Sequence, residues 1–192
     1  GIGPQQQAFD YQENHGGIVI GRDYGPAKQY YVCQDWDHVY DYVFSQTESH
    51  RNFYELIRAE TPARLVVDLD LEKKELADGE NLTSTMDAIQ QQTVDVIHAQ
   101  LRSRGVESPR MQVLHSDGPE KASRHLLFDT WFTDLHESMK AFVNEKVKPS
   151  VPRGLDVSIY SRNRLMRFFG NTKIGSSRRL HIKGRKDLKP FS

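Results

Sequence analysis

The segment Arg64–Glu72, with the sequence RLVVDLDLE, constrains the fold more than any other part of the chain. Aliphatic and β-branched residues dominate it, and the preceding Thr61-Pro62 is a turn signal, so we predict a β-strand here. Side chains alternate across a strand. Four apolar residues therefore share one face and two aspartates share the other: Leu65, Val67, Leu69 and Leu71 against Asp68 and Asp70.

The two aspartates form a candidate metal site. Asp68 and Asp70 are expected to lie about 6.5–7 Å apart at their Cα atoms, with both carboxylates on the same face. Such a pair can bracket two divalent ions roughly 3.5–4 Å apart, as in polymerases and nucleases. Because an Asp-x-Asp motif is short, it also fits a strand that merely has a hydrated acidic face.

Composition excludes several classes of protein. The chain has 192 residues, of which 37% are hydrophobic and 27% charged, which predicts a globular protein of one large or two small domains. No apolar run reaches the ~18–20 residues of a membrane span, so no membrane partner is predicted. A single cysteine, Cys33, excludes an internal disulfide and a Cys-rich zinc site, and is typical of a reducing intracellular compartment.

Hydrophobic periodicity predicts an α+β domain that can divide into two lobes. Residues 1–16 are polar and are predicted to be a flexible or tag-derived start, with the folded core at 17–192. Amphipathic helices are predicted at 83–104 and 134–147, and a shorter helix at 35–45. The predicted strands lie at 17–20, 29–33, 111–115 and 123–128, and in two hairpins that pair 52–59 with 63–71 and 155–160 with 164–169.

The segment Lys121–His125 contains three groups that suit a phosphate chain. Ser123 and His125 share a strand face by alternation, and Lys121 stands at the start of the strand. The hydroxyl and the imidazole can donate hydrogen bonds, while the ammonium supplies a point charge. Taken alone, His125 fits a structural histidine equally well.

A third carboxylate, Asp156, lies between apolar neighbours in the sequence LDV. It would complete the oxygen ligands of a Mg²⁺ or Mn²⁺ pair, because these hard ions prefer carboxylates and phosphates. Arg164, Arg167 and Lys173 follow, and arginines suit both phosphate binding and stacking on bases. Alone, Asp156 fits an ordinary turn or surface acid slightly better.

The C-terminal segment is strongly basic. Ten lysines and arginines lie between Arg162 and Lys189, against the single acid Asp187, although the formal net charge of the chain is zero. This asymmetry predicts a polyanionic partner, with ordinary solvated surface charges as the alternative.

In this order along the chain, the motifs resemble the archaeo-eukaryotic primase superfamily, and especially the PrimPol-like primase-polymerases and their relatives in large DNA viruses. The resemblance covers about residues 30 to 185. It is carried by four segments: Phe53-Tyr54-Glu55, the Arg64–Asp70 strand, Lys121–His125, and Asp156 with Tyr160–Arg167 and Lys173-Ile174-Gly175.

The resemblance implies a catalytic core with an α/β lobe, an RRM-like lobe and an active site in the cleft between them. It implies that Asp68, Asp70 and Asp156 hold two Mg²⁺ or Mn²⁺ ions, and that a primer 3′-hydroxyl displaces pyrophosphate in line on a DNA template. The residues expected to bind the incoming (d)NTP are Tyr54 (beneath the ribose), Lys121, Ser123, His125, Arg164, Arg167 and Lys173. The residues expected along the template are Arg178, Arg179, Lys183 and Arg185.

Two departures from the family pattern are visible. Animal PrimPols usually have Asp-x-Glu where this chain has Asp68-x-Asp70, and the Cys/His zinc module and the helicase domain are missing. A zinc module and a helicase are therefore expected only as fused or associated partners, at a nuclear, mitochondrial or viral replication site. Two alternatives stay open: a two-metal phosphodiesterase or nuclease, which leaves the phosphate-binding cluster unexplained, and an inert nucleic-acid-binding module, which leaves the three acids unexplained.

Overall fold

The structure is a computed structural model, and it describes residues 2–107 and 109–183. Within this range the chain is a mixed α+β protein with two antiparallel sheets, which confirms the predicted α+β class. It divides into two compact units. The first comprises residues 2–57 and 165–180, and the second comprises the described residues of 58–164 and 181–183.

The bounds of the elements are as follows. The helices are α1 (Pro4–His15), α2 (Trp36–Ser45), α3 (Leu82–Arg102) and α4 (Lys140–Phe142), the last flanked by π-helical turns at Leu135–Met139 and Val143–Val147. The strands are β1 (Ile18–Tyr24), β2 (Ala27–Cys33), β3 (Phe53–Ile57), β4 (Ala63–Glu72), β5 (Met111–His115), β6 (Lys121–Phe132), β7 (Leu155–Asp156), β8 (Arg164–Arg167) and β9 (His181–Ile182). Short 3-10 turns lie at Glu48–His50, Lys73–Glu75 and Lys148–Ser150.

The first unit contains a four-stranded sheet in the order β2-β1-β3-β8. The strands predicted at 17–20 and 29–33 are confirmed as β1 and β2, which pair with each other, with Tyr24 opposite Ala27 across a turn in which Gly25 has φ +58°. The predicted helix α2 is also confirmed, and the Asp35 side chain caps it by accepting a hydrogen bond from the His38 N–H.

The start of the chain corrects one prediction. Residues 4–15 form helix α1 rather than a flexible segment, because Ala8 and Phe9 are buried against Val19 and Leu56. The segment is so rich in glutamine that its few apolar residues give no clear helical stripe. Tertiary burial of those residues therefore decides the structure of this segment.

The second unit contains a five-stranded sheet in the order β7-β4-β6-β5-β9, with antiparallel pairing throughout. Along the chain its elements run β4, α3, β5, β6, the helical segment 135–147 and β7, which is the split β-α-β arrangement. Both helical segments pack on β4 and β6. The other face of the sheet carries the polar side chains of Asp68, Ser123 and His125 together with the apolar Val66 and Leu114.

The two long helical segments of the second unit confirm their predictions. In α3 the Asn81 side chain accepts a hydrogen bond from the Ser84 N–H and caps the helix start. The apolar stripe of α3 is buried, at Met86, Ile89, Thr93, Ile97 and Leu101. Residues 135–147 are helical as expected, and Asp134 accepts from two backbone N–H groups at their start, but the outer turns are wide π-turns.

The two predicted hairpins around 52–71 and 155–169 are wrong. Strand β3 pairs with β1 in the first sheet, whereas β4 lies in the second sheet between β6 and β7. Strand β7 pairs with β4, and β8 lies beside β3 in the first sheet. A turn signal marks a change of chain direction, but it does not specify which strands pair afterwards. None of the helices in the described part of the chain has the length and apolarity of a membrane span.

Candidate metal and nucleotide site

Strand register brings the predicted acids together on the face of the second sheet opposite the helices. Across β4 and β7, Asp68 is paired with Asp156, and across β4 and β6 it is paired with His125. One step further along the same face, Asp70 is paired with Ser123. Residues directly opposite in antiparallel strands point to the same face. The predicted alternation of β4 is thereby confirmed, with Leu65, Val67, Leu69 and Leu71 at most 1% exposed on the helical side.

The three carboxylates fit a divalent metal ion. One oxygen from each of Asp68, Asp70 and Asp156 lies within 4.8 Å of the other two. Carboxylate oxygens are the ligands that Mg²⁺ and Mn²⁺ prefer. Three negative charges at this separation repel one another, and a bound divalent cation would remove that repulsion.

The negative field of the acids acts on a neighbouring buried tyrosine. Tyr160 is 2% exposed, and its hydroxyl donates to the Val66 carbonyl at 2.7 Å. Burial raises the pKa of Tyr160 well above its ordinary value, and the charges of Asp68 and Asp156 raise it further. Asp156 itself accepts a hydrogen bond from the Ser158 N–H at 2.9 Å, which fixes its carboxylate.

The predicted phosphate-binding residues lie beside the acids. The Lys121 Nζ is 3.1 Å from Asp70 Oδ2, and the Ser123 hydroxyl donates to Asp70. The His125 Nε2 is 3.5 Å from Asp68 Oδ1. Six of the predicted site residues therefore come together within one unit. Their assignment to phosphate stays a prediction.

Other predicted nucleotide residues lie in the first unit. The Tyr54 hydroxyl donates to Asp23 at 2.7 Å, and the Lys28 Nζ lies 4.9 Å from the centre of the Tyr54 ring. Burial, followed by the hydrogen bond to Asp23, raises the pKa of Tyr54 well above its usual range. Arg167 Nη1 donates to the Arg178 carbonyl at 3.1 Å.

The remaining basic residues differ in their surroundings. Lys173 is exposed in the first unit, and the half-buried Arg164 belongs to the second. Arg179 forms an ion pair with Glu48 at 2.5 Å, and Lys183 is exposed. The prediction for Arg185 falls outside the described residues.

A second acidic group has a simpler explanation. Asp134, His136 and Glu137 also bring ligand atoms within 4.8 Å of one another. However, Asp134 Oδ1 already accepts from the N–H groups of Glu137 and Ser138 at the start of a helical segment. The His136 Nε2 lies 3.1 Å from Arg162 Nη1, a cationic neighbour that disfavours a metal. This group is a helix cap.

Sequence reasoning missed a buried polar network next to Lys173. Asn171 is 0% exposed, its Oδ1 accepts from the Phe53 N–H at 3.0 Å, and its Nδ2 donates to the Phe169 carbonyl at 3.0 Å. Asn52 Nδ2 donates to the Thr172 carbonyl at 3.2 Å. The network fixes the segment that leads to Lys173 against β3, the strand of Tyr54. An Asn directly after a Gly is a turn signal that could have pointed to it.

We expect Asn171→Ala to destabilise the protein by about 1–3 kcal/mol, because it leaves the buried Phe53 N–H without its acceptor. Urea unfolding followed by circular dichroism measures the change. Asn14→Ala is the matched control, because the Asn14 side chain bonds to the Asp10 carbonyl at an exposed position. Equal losses of stability in the two variants would contradict a structural role for the buried network.

Comparisons with models of known protein families and with curated proteins give no match to this chain. The class of protein is therefore defined by its fold and by the side chains of the candidate site. It is an α+β protein whose split β-α-β sheet holds three carboxylates, with a lysine, a serine and a histidine next to them. Any functional conclusion rests on this geometry and on the order of the motifs in the sequence.

Proposed function

We propose that this chain is the catalytic core of a DNA primase-polymerase of the archaeo-eukaryotic primase superfamily. It transfers nucleotides from (d)NTPs to a 3′-hydroxyl on a DNA template, for primer synthesis or extension in replication or damage tolerance. The observation that carries the proposal is the position of Asp68, Asp70 and Asp156, whose oxygens lie within 4.8 Å of one another, beside Lys121 and Ser123.

The fold of the second unit supports the RRM-like lobe of this proposal. RRM domains have a four-stranded sheet and the β-α-β-β-α-β order of elements. Here β4, α3, β5, β6, the helical segment 135–147 and β7 follow one another along the chain in that same order. The four strands are neighbours in the sheet, in the order β7-β4-β6-β5, and the helices lie on one face only. The α/β lobe of the proposal corresponds to residues of the first unit, where Tyr54, Arg167 and Lys173 stay predicted nucleotide contacts.

In the proposed mechanism Asp68, Asp70 and Asp156 hold the Mg²⁺ or Mn²⁺ ions. When bound, such ions lower the pKa of the attacking hydroxyl and neutralise charge on the leaving oxygens. Lys121 and Ser123 bind the triphosphate by charge and by hydrogen bond, and His125 donates to a phosphate oxygen. As the primer 3′-oxygen bonds to the α-phosphorus, its hydroxyl proton passes to water, the bond from the α-phosphorus to the oxygen of the β-phosphate breaks, and pyrophosphate leaves.

One gel tests the proposal against its alternatives. The chain is incubated with a 5′-labelled primer on a template, the four dNTPs, and either Mg²⁺ or Mn²⁺. Extension of the primer is the expected result, shortening would indicate a two-metal nuclease, and a mobility shift without either would indicate a binding module. The carboxylates alone fit a nuclease equally well. A nuclease leaves unexplained why Lys121, Ser123 and His125 lie next to the carboxylates, whereas a triphosphate substrate would use all three side chains.

The basic residues near the C-terminus lead to a prediction about template binding. Neutralising Arg178, Arg179, Lys183 and Arg185 together should flatten the log–log salt dependence of single-strand affinity, by about 0.7 for each phosphate that the protein no longer neutralises. The effect should be the same for unrelated template sequences, because phosphate contacts carry no base code. Fluorescence anisotropy at several salt concentrations measures the slope.

A second set of exposed basic residues provides the control for this measurement: Arg102, Lys140, Lys146 and Lys148. Neutralising this set changes the net charge by the same amount at another surface. If both quadruple variants show the same slope, the effect reflects overall charge, and the C-terminal residues are ordinary solvated surface. A slope equal to that of the unchanged chain would also remove the template assignment.

A further inference from the structure

Arg124 lies between two residues of the candidate site, but its side chain points to the opposite face of β6. That side chain is only 3% exposed. Its guanidinium donates to Asp117 Oδ2 at 2.9 Å and to Gln90 Oε1 at 2.8 Å, and it forms an ion pair with Asp87. Asp87 and Gln90 belong to α3, and Asp117 belongs to the loop before β6. One arginine therefore ties β6 to a helix and to a loop.

Asp117 connects this arginine to the site face. Its Oδ1 accepts a hydrogen bond from the Ser123 N–H at 3.1 Å, while its Oδ2 accepts from Arg124. Burial acts to raise the pKa of Asp117, but the nearby His115 ring and the Arg124 guanidinium outweigh burial and lower that pKa to about 2. The carboxylate is therefore charged at neutral pH.

The same loop ends at the residues that contact Asp70. Its ends are held by two backbone hydrogen bonds of 2.8 Å, from the Gly118 N–H to the Lys121 carbonyl and from the Ser116 N–H to the Ser123 carbonyl. Lys121 and Ser123 begin β6, and both side chains reach Asp70. The positions of these two side chains thus depend on how the loop is anchored.

We propose that Arg124 and Asp117 are positioning residues that hold Lys121 and Ser123 against Asp70 and so set the affinity of the site for a nucleoside triphosphate. The ligand class rests on the proposed function, whereas the positioning claim does not. The free energy of unfolding does not by itself explain why an arginine is buried here, because replacing a buried ion pair by apolar groups often leaves stability unchanged. Its partners Asp87 and Asp117 have side chains that are 56% and 29% exposed, so water can solvate them when the arginine is removed.

The test uses Arg124→Met, which keeps the length of the side chain and removes the guanidinium. With dATP and Mg²⁺ as the probe, calorimetric affinity should fall about tenfold, and KM for dNTP should rise by about the same factor with kcat changed less than about twofold. Arg153→Met is the matched control, because Arg153 is ion-paired with Glu80 at 2.9 Å in the same unit, and neither residue belongs to β6 or to the loop before it. A larger fall in kcat than in affinity would overturn the proposal.

Two further measurements distinguish a positioning role of Arg124 from a general loss of stability. Ser123→Ala should cost less dATP affinity in the Arg124→Met background than in the unchanged chain, because residues that act through one another are not additive. Amide hydrogen exchange at Ser116, Gly118 and Ser123 should accelerate about tenfold or more in Arg124→Met, with exchange in β4 unchanged. Additive costs, or unchanged exchange at these three amides, would overturn the proposal.

Two outcomes need a second variant or a second measurement: Arg124→Met does not fold, or the unchanged chain binds no dATP. If Arg124→Met does not fold, Asp117→Asn replaces it, since this variant keeps the shape of the side chain and the acceptor for the Ser123 N–H while removing its charge. If the unchanged chain binds no dATP, the proposed function fails. The exchange measurement then still decides the positioning claim by itself.

Discussion

Asp68→Asn and Asp70→Asn should each lower the rate of primer extension by about a thousandfold or more, with the fold intact. Each substitution keeps the size of the side chain but removes one of the three charges that are proposed to hold the metal ions. Losing metal stabilisation of the transition state costs several kcal/mol, and about 1.4 kcal/mol is tenfold in rate. Single-turnover extension of a labelled primer at saturating dNTP measures the loss.

Glu72→Gln is the matched control for this prediction. Glu72 lies on the same strand and the same face, two residues beyond Asp70, and its carboxylate is ion-paired with Lys74. It does not belong to the group of three carboxylates whose oxygens lie within 4.8 Å of one another. Its activity should stay within about twofold of the unchanged chain, as for a surface substitution. Mn²⁺ binding followed by electron paramagnetic resonance gives a second readout, in which Asp68→Asn and Asp70→Asn bind less Mn²⁺ and Glu72→Gln does not. Near-normal extension by both aspartate variants would show that the site lies elsewhere.

Lys121→Met should have effects of opposite sign on two ligands. The Lys121 Nζ lies 3.1 Å from Asp70 Oδ2, so in the absence of a metal it is the counter-ion of that carboxylate. Removing it should strengthen Mn²⁺ binding in the absence of nucleotide, because Asp70 then keeps its full charge for the ion. The same change should weaken dATP binding, because the triphosphate loses a positive charge.

Each effect should amount to about 1–2 kcal/mol, or roughly five- to thirtyfold, for an ion pair that is partly shielded from water. Lys73→Met is the control, since Lys73 is ion-paired with Glu120 at 3.2 Å on the exposed surface nearby. Titrations of Mn²⁺ alone and of dATP with Mg²⁺ measure the two affinities. If the affinities for Mn²⁺ and dATP both rose or both fell, Lys121 would not be a counter-ion of Asp70 without nucleotide and a phosphate ligand with it.

Local sequence determined the elements that hold most of the site. The alternation of Arg64–Glu72 places Asp68 and Asp70 on one face of β4, because the side-chain period of a strand is two wherever the strand lies. The same rule placed Ser123 and His125 together on β6. The apolar stripe from Met86 to Leu101 determined helix α3, because apolar residues at three- and four-residue steps form one buried face.

Local sequence also contains two weaker signals. Because side chains alternate along a strand, Ser123 and His125 lie on one face of β6, and Arg124 between them had to point to the other face, towards the helices. A buried arginine requires hydrogen-bonding partners, and α3 supplies Asp87 and Gln90. The turn signal at Gly170-Asn171 could likewise have suggested that the Asn171 side chain bonds to the backbone.

Pairing between distant segments was decided by the tertiary structure alone. Asp156 reaches Asp68 because β7 adds to the free edge of β4, and the hairpin predicted for 155–169 would have kept it away. Strands β3 and β4 are close in sequence but lie in different sheets, and α1 is ordered because Phe9 is buried against Val19 and Leu56. Periodicity specifies which face of an element is apolar. Which partner covers that face depends on burial and loop closure summed over the whole chain, and no local pattern contains that sum.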